Sequence, residues 1–289
     1  MMIITFLWQD DASAAESVRA DGKLLLARYA AIEAKLKSNK FGAPIYLESS
    51  EQKGSSRVDV YGVFDHGFKV VRQALQSPAN WCDIMPTHIN IKACTYDESD
   101  NEWRLTLYSG RKFYQPPADA FRLILKFHLA EQQADHLAIA LTANHGPLGT
   151  TDHQMTMEAT PLGPEKSFVH FGYSYRYGMS ARVAIKTYLA TLGREKVGFS
   201  TSTSRKTGRP VPIQGVRGSV ERNAVRYYLA ILTYLDALRL PAARRFEERI
   251  ARWYTLTARY PRQLYEMPRE EYLAMKKRER GNQLRLQRM

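Results

Sequence analysis

Cysteine is scarce in this chain, which has two, Cys82 and Cys94, among 289 residues. Neither has histidine or cysteine partners at the spacing of a zinc site, so structural zinc is not predicted. In an oxidising compartment the pair predicts a disulfide between a short helical segment and the strand that follows it. In a reducing compartment the pair predicts two buried thiols. The sequence leaves both alternatives open.

Long hydrophobic runs are also missing, because no stretch approaches the roughly 18 to 20 apolar residues that span a bilayer. The N-terminus has a short apolar run over residues 1–8, and residues 12–14 resemble a cleavage site. However, no basic residue precedes the run, and Asp10 and Asp11 interrupt it, unlike a secretory signal. We therefore expect a periplasmic location if the true start lies upstream, and a cytoplasmic location otherwise.

Catalytic and cofactor motifs are lacking as well. The chain has no G-x-G-x-x-G, no P-loop and no G-x-S-x-G, so nucleotide binding and serine hydrolase chemistry have no support. His145 and His153 flank one turn but would need a third ligand to hold a metal. An acid/base pair of His153 and Glu158 is disfavoured, because a separation of five residues places them on opposite faces of a strand. No catalytic residue, metal or cofactor is predicted.

Positive charge is present in excess and unevenly distributed. The net charge is +13. Counted along the chain, residues 1–54 are neutral, residues 55–178 carry −2, and residues 179–289 carry +15. This asymmetry predicts a polyanionic partner, either phospholipid headgroups or nucleic acid. A well-solvated helical surface would explain the same charges.

Residues 55–176 follow a regular order of element patterns. A strand over 58–64 precedes a short amphipathic helix over 68–76 and a compact helical turn between Pro78 and Pro86. Six strand patterns with period-two alternation follow, near residues 88–94, 103–108, 121–129, 137–141, 153–159 and 169–176. Because the connections are short, we expect an antiparallel meander.

Helical patterns flank this region. The clearest helical pattern covers residues 181–192, directly after the last predicted strand, and ends before Gly193. Its apolar residues form one stripe: Ala181, Ala184, Ile185, Tyr188, Leu189 and Leu192. We expect that stripe to lie on the concave face of the sheet. Other helices are predicted over 12–38, on either side of Pro241, and over 270–280. The predicted organisation is an N-terminal helix and lead-in (1–54), a sheet domain (55–199), a loop (200–218) and a basic C-terminal helical extension (219–289).

The order of strand, two short helices, six strands and a long helix resembles the helix-grip fold of the START/SRPBCC superfamily. Three segments resemble uncharacterised START-like proteins of proteobacteria: residues 81–94, WCDIMPTHINIKAC; residues 146–150, GPLGT; and residues 173–177, YSYRY. The resemblance covers about residues 55–193. It implies an α+β fold in which a curved antiparallel sheet wraps around a long helix, with a cavity between the sheet and the helix over 181–192.

The inward strand faces predict the residues of that cavity. The apolar and aromatic candidates are Ile91, Leu107, Leu123, Leu125, Leu141, Met155, Met157, Tyr173 and Tyr175. His153 shares the face of the two methionines, and Arg111 and Arg176 are candidates to grip a carboxylate or phosphate at the rim. Plain core packing and solvated strand-end charges would explain the same residues.

Three functions are compatible with these patterns. The favoured one is non-catalytic binding or transport of a lipid or other hydrophobic molecule, with the basic C-terminal helices near an anionic membrane. Aromatic residues of those helices suit either a membrane interface or a packed core: Tyr227, Tyr228, Trp253, Tyr254, Tyr260 and Tyr265. The alternative is a cyclase- or hydratase-like enzyme using the same cavity. The third is nucleic-acid binding, disfavoured because acidic residues interrupt the basic helices.

Overall fold

The computed structural model describes residues 22–192, 196–204 and 206–288. It contains an eight-stranded sheet in which every neighbouring pair is antiparallel. The strands are β1 (Ile45–Gln52), β2 (Ser55–Phe64), β3 (Ile91–Ser99), β4 (Glu102–Ser109), β5 (Phe121–Gln132), β6 (Leu137–His145), β7 (Thr150–Pro161) and β8 (Ser167–Tyr177). Their order is β1-β2-β8-β7-β6-β5-β4-β3. The predicted α+β helix-grip fold is confirmed.

The edge strand β1 is the one strand of this sheet that the sequence did not predict. It falls in the lead-in, pairs with β2 along its whole length, and becomes progressively exposed towards Gln52. Its sequence, IYLESSEQ, has no sustained alternation of apolar and polar residues. Because only its first residue is buried, the period-two signal of a half-buried strand is missing.

Seven α-helices accompany the sheet in the described part of the chain. They are α1 (Gly22–Lys37), α2 (Phe68–Leu75), α3 (Pro78–Ile84), α4 (Met179–Leu192), α5 (Gly215–Ala237), α6 (Ala242–Ala258) and α7 (Arg269–Leu286). A small hairpin of β9 (Thr201–Thr203) and β10 (Pro210–Pro212) lies within the segment predicted as a loop. The N-terminal apolar run and the predicted start of the first helix lie outside the described residues.

The helix that the sheet grips is α5, not the helix over 181–192 that the sequence predicted. Helix α5 lies against β2, β8 and β1, and most of its residues are buried. Helix α4 contacts the end of β8, α5 and the turn before β7; Ala181 and Ile185 are buried, whereas Met179 and Val183 are exposed. The side chains of Ala184, Tyr188, Leu189 and Leu192, and the whole of Gly193, lie outside the described residues. The part of α5 from Ala224 to Leu235 is apolar on nearly all sides, as is typical of a helix inside a protein.

The last three helices share one hydrophobic core with the sheet. Helix α6 packs on α5, and α7 packs on α6 and along β3. The domain boundaries predicted at 199 and 219 stay predictions. What the packing shows is that side chains before and after them belong to the same core cluster.

Helix α7 also covers the β3 edge of the sheet through two glutamine side chains. The backbone N–H of Cys94 donates to Gln283 Oε1 at 3.1 Å, and that of Tyr96 donates to Gln287 Oε1 at 2.9 Å. In return, the side-chain amides donate to the backbone oxygens of Cys82 and Tyr96. Cys82 and Cys94 are joined as a disulfide, with their Cα atoms 4.9 Å apart. The edge that could recruit another strand is thereby occupied.

Candidate functional site

The inward strand faces bring the predicted interior residues together. Met155 pairs with Leu141 on one side and Tyr173 on the other, and Leu107 pairs with Leu123. Ten of the twelve predicted residues are buried: Ile91, Leu107, Leu123, Leu125, Leu141, His153, Met155, Met157, Tyr173 and Tyr175. They line the face of the sheet that α5 covers, as the period-two alternation requires.

The two arginines predicted at a rim lie apart from this set. Arg111 is exposed, with its guanidinium 5.6 Å from the ring centroid of Phe113. Arg176 is also exposed and approaches Asp152 at 3.8 Å on the surface. A role for either in holding a ligand stays a prediction.

The polar part of the interior is an aromatic cluster contributed by the sheet, by the segment before β3 and by α5. His153 stacks on Tyr175 with ring centroids 5.2 Å apart, and Tyr173 meets Tyr227 edge-on at 6.2 Å. His88 stacks on Tyr227 with ring centroids 4.4 Å apart. We call these five residues the aromatic cluster. All five are buried.

Sequence reasoning missed Tyr227 and His88 as members of this site. Tyr227 was one of the aromatics considered for a membrane interface, but Tyr227, Tyr228 and Trp253 are buried, whereas Tyr265 is 43% exposed. The signal that could have found Tyr227 is the pattern of α5, where apolar and aromatic residues occupy almost every position from Ala224 to Leu235. Such a pattern indicates a helix inside the protein.

The single hydrogen bond of His153 determines which ring nitrogen carries the hydrogen. The hydroxyl of Thr150 donates its one hydrogen to the backbone oxygen of Pro147 at 2.7 Å. In the 2.8 Å contact with His153 Nε2, the threonine oxygen must therefore accept, and the imidazole N–H donates. Nδ1 is then an unprotonated acceptor, and it has no hydrogen-bond partner within the described residues. Burial lowers the pKa of His153 to about 4, so the ring is neutral at neutral pH.

The three tyrosines of the cluster carry unpaired hydroxyls. Across residues 22–192, 196–204 and 206–288, the structure shows no hydrogen bond to the hydroxyl of Tyr173, Tyr175 or Tyr227. Burial raises the pKa of all three phenols above the usual tyrosine value, so they are neutral donors. These three oxygens are not among the fully buried polar atoms that lack a partner, whereas Nδ1 of His153 is. Among the described residues, the cluster therefore holds one closed-off imidazole nitrogen and three phenolic hydroxyls without a hydrogen-bond partner.

The other face of the sheet carries a separate set of charges beneath α1. His170 Nδ1 lies 2.6 Å from Glu158 Oε2, and His170 Nε2 lies 2.8 Å from Asp59 Oδ1. His136 Nδ1 lies 2.8 Å from Glu131 Oε2 and extends the row. Glu158 thus points away from His153, and the predicted separation of these two residues onto opposite strand faces is confirmed.

No metal centre or membrane-spanning helix is found in the part of the chain that the structure describes. Within it, there is no group of three or more histidine, cysteine, aspartate or glutamate side chains arranged to hold a metal ion. His145 is exposed and His153 bonds Thr150. None of the described helices combines the length and the apolar character needed to cross a bilayer.

No protein-family model and no curated protein matches this chain. Several solved structures are similar to it at low identity. Norcoclaurine synthase from Thalictrum flavum is 13% identical over 51% of this chain and 88% of its own, with a TM-score of 0.34. A STAR-related lipid transfer protein from Xanthomonas axonopodis is 11% identical over 46% and 76%, with a TM-score of 0.33.

The Zhui aromatase/cyclase from Streptomyces sp. R1128 is 11% identical over 65% of this chain and 98% of its own, with a TM-score of 0.37. The sheet order and the gripped helix show the helix-grip fold by themselves. The narrower resemblance to proteobacterial proteins stays a prediction. At these identities and scores, the similarities carry no argument about ligand, activity or partner.

Proposed function

We propose that this protein binds a hydrophobic small molecule, such as a lipid, without catalysis, between the inner face of the sheet and α5. The observation that supports this most is the set of unpaired polar atoms in the aromatic cluster. Nδ1 of His153 is buried without a partner among the described residues, which costs roughly 1–3 kcal/mol. A ligand that hydrogen-bonds to these groups, and covers the surrounding leucine and methionine side chains, removes that cost.

The protonation states of the cluster favour binding over acid/base catalysis. His153, with a pKa of about 4, is a weak base, and the three phenols are weaker acids than free tyrosine. General acid/base catalysis works best when the pKa of the group lies near the operating pH. A cyclase- or hydratase-like enzyme remains the alternative function of the same interior.

The charges of the basic C-terminal helices decide how much positive surface is available to an anionic membrane. Several of their charges are neutralised inside the protein: Arg226 lies 2.5 Å from Glu266, Lys276 lies 2.8 Å from Glu279, and Arg280 lies 2.6 Å from Asp83. Of these three pairs, only the one between Arg280 and Asp83 lowers the +15 counted for residues 179–289, because Glu266 and Glu279 are already included in that sum. Contact with an anionic membrane stays part of the proposal, and nucleic-acid binding is the weaker alternative.

A fluorescent apolar probe tests the proposal. The full chain is titrated with N-phenyl-1-naphthylamine, after extraction of co-purified molecules for mass spectrometry. We expect saturable binding of one probe per chain. Met155→Trp, which fills the inner face, should weaken it at least tenfold, whereas the matched control Ile124→Trp, on the exposed face of β5, should leave it unchanged.

Two results would overturn the proposal. The first is an absence of saturable probe binding together with a clean extract. The second is equal weakening of binding by Met155→Trp and Ile124→Trp, both shown to be folded by circular dichroism. Turnover of a ligand identified in the extract would instead establish the enzyme.

A further inference from the structure

A small cavity lies where the turn Met85–Thr87 meets α6 and α7. Its volume is about 10 Å³, roughly room for one water molecule or one monatomic ion. Thr87 lines it from the turn, Arg249 from α6, and Lys276 and Glu279 from α7. Each of these four residues is at most 3% exposed. The cavity is therefore walled mainly by buried polar and charged side chains.

Two polar atoms of the lining side chains have no partner in the described part of the chain. Thr87 Oγ1 and Arg249 Nε are fully buried and take part in no hydrogen bond there. The guanidinium Nε–H can only donate, and the threonine hydroxyl has one hydrogen to donate. Lys276 Nζ, in contrast, already donates to three oxygens. Thr87 and Arg249 therefore offer two donors for which the described residues supply no acceptor.

The buried Arg249 guanidinium also lacks a close counter-charge. The carboxylate oxygen that it meets within the described residues, Asp83 Oδ1, is 3.9 Å away. Arg280 holds the same oxygen at 2.6 Å. The ring centroids of Tyr234 and Phe246 lie 5.6 Å from the guanidinium carbon, and these rings attract a cation but carry no charge. Burial lowers the pKa of Arg249 against the attraction of Asp83, as expected for an incompletely paired cation.

The neighbouring ion pairs do not correct this imbalance. Glu279 lies between Lys92 at 2.9 Å and Lys276 at 2.8 Å, so its one negative charge serves two ammonium groups. With the two arginines sharing Asp83, four cations have two carboxylates, an excess of +2. Burying an unpaired charge is unfavourable. A water molecule would satisfy the two free donors and leave the charge as it is, whereas a monovalent anion would also reduce the excess.

We infer that this cavity binds one chloride ion, which accepts hydrogen bonds from Arg249 Nε–H and from the Thr87 hydroxyl. The volume of about 10 Å³ admits a monatomic anion but no phosphate group or organic carboxylate. In this position the ion joins the turn to α6 and supplies counter-charge to the cations of α7. The inference is independent of the ligand proposed for the interior, because neither Thr87 nor Arg249 belongs to the aromatic cluster.

Thermal unfolding of the full chain tests the inference. Sodium chloride is compared with sodium gluconate at one ionic strength, because gluconate is too large for the cavity. An anion that binds only the folded protein stabilises it according to its occupancy. At a chloride concentration about ten times the Kd, we expect a Tm about 2–4 °C higher than in gluconate, with a saturating dependence on chloride.

Variants of the lining residues separate binding from general salt effects. Arg249→Gln should abolish the difference between the two salts. Arg252→Gln, which removes a half-exposed arginine of the same helix, is the matched control and should retain the difference. Thr87→Val keeps the shape of the side chain and removes the hydroxyl, so it should weaken chloride binding by about tenfold. Thr87→Val also decides the matter if Arg249→Gln fails to fold.

A crystal of the unmutated protein soaked in sodium bromide locates the ion directly. We expect an anomalous peak within hydrogen-bond distance of Arg249 Nε and Thr87 Oγ1. An ordered water at this point without anomalous signal overturns the inference. A chloride effect of equal size in the unmutated protein and in Arg249→Gln or Thr87→Val also overturns it. Neither result affects the proposed binding of a hydrophobic molecule between the sheet and α5.

Discussion

Gly62 of β2 and Tyr228 of α5 are so close that a single methyl group could not be added between them. A Cβ on Gly62 would lie 1.8 Å from the Tyr228 hydroxyl oxygen and 3.0 Å from the backbone oxygen of Pro44. This contact sets how near the gripped helix lies to the sheet. Gly62→Ala should lower the free energy of unfolding by about 2 kcal/mol or more, because the helix must shift away.

Urea unfolding measures this effect, with two comparisons. Gly62→Ala combined with Tyr228→Phe should recover part of the loss, since removal of the hydroxyl relieves the closest clash. Gly281→Ala, in α7, is the matched control, because a Cβ there meets nothing within 4 Å. It should stabilise the protein slightly through helix propensity. A Gly62→Ala protein as stable as the unmutated one would show that α5 is not held at this distance.

The charges beneath α1 predict a defined dependence of stability on pH. Burial alone would raise the pKa of Glu158, but its interactions with His136 and His170 prevail and lower that pKa to about 2. Burial likewise opposes protonation of His170, and its carboxylate partners Asp59 and Glu158 nonetheless raise the pKa of His170 above the usual histidine value. Protonated His170 and ionised Glu158 therefore coexist at pH values between their two pKa values.

The difference in pKa between the folded and unfolded states determines how each group changes the free energy of unfolding with pH. The carboxylate contribution is complete above about pH 4.5 and is lost as the pH falls towards 2, whereas the histidine contribution is complete below about pH 6.5 and is lost at higher pH. We expect Glu158→Gln to cost on the order of 3 kcal/mol between pH 4.5 and 6.5, and less above that window. Denaturant melts of both proteins from pH 4 to 9 measure the difference. A cost independent of pH would contradict the ion-pair account.

Some features of this fold could be predicted from the sequence, and others could not. The alternation on β7 identified Met155 and Met157 as inward residues, because a strand repeats every two residues and needs no knowledge of its partners. The choice between α4 and α5 as the gripped helix depends on which helix fits the concave face. That is decided by contacts such as Gly62 with Tyr228, between residues far apart in the chain.

The candidate site, too, could be predicted only in part from the sequence. His153, Tyr173 and Tyr175 lie on strands whose inward faces are legible from the sequence. Tyr227 joins them only because α5 returns to the sheet after the hairpin. The apolar pattern of α5 indicates a buried helix, but it does not identify the sheet face that the helix covers. Which nitrogen of the neutral His153 ring carries the hydrogen depends on the Thr150 hydroxyl, and only the arrangement of the turn reveals this.

The glutamine contacts of α7 predict a local change at the sheet edge. Gln283→Ala and Gln287→Ala together should expose the backbone N–H groups of Cys94 and Tyr96, because the amide oxygens that accept from them are removed. Each lost hydrogen bond is worth about 1 kcal/mol. Amide hydrogen exchange should accelerate at these two positions by at least about tenfold. Leu284→Ala, on the exposed side of α7, is the control, and equal exchange in both variants would contradict the edge-capping role.

Glu279 lies between two buried lysines and should be indispensable for stability. Its carboxylate is 2.9 Å from Lys92 Nζ and 2.8 Å from Lys276 Nζ, and all three side chains are almost fully buried. Burial, and then repulsion by Lys92, lower the pKa of Lys276 to about 8 against the attraction of Glu279. Glu279→Gln would leave two buried ammonium groups without a counter-charge, so we expect a loss of about 3–5 kcal/mol at neutral pH.

The pH dependence of this variant distinguishes charge from packing. Without the glutamate, the lysines should deprotonate at lower pH, so the loss should shrink as the pH rises and be smallest above about 8, the pKa of Lys276 in the unmutated protein. Glu247→Gln, which removes an exposed partner of Lys277, is the matched control and should cost little. Equal losses at pH 7 and pH 10 would mean that Glu279 acts through its shape, and that its charge does not hold α7 against β3.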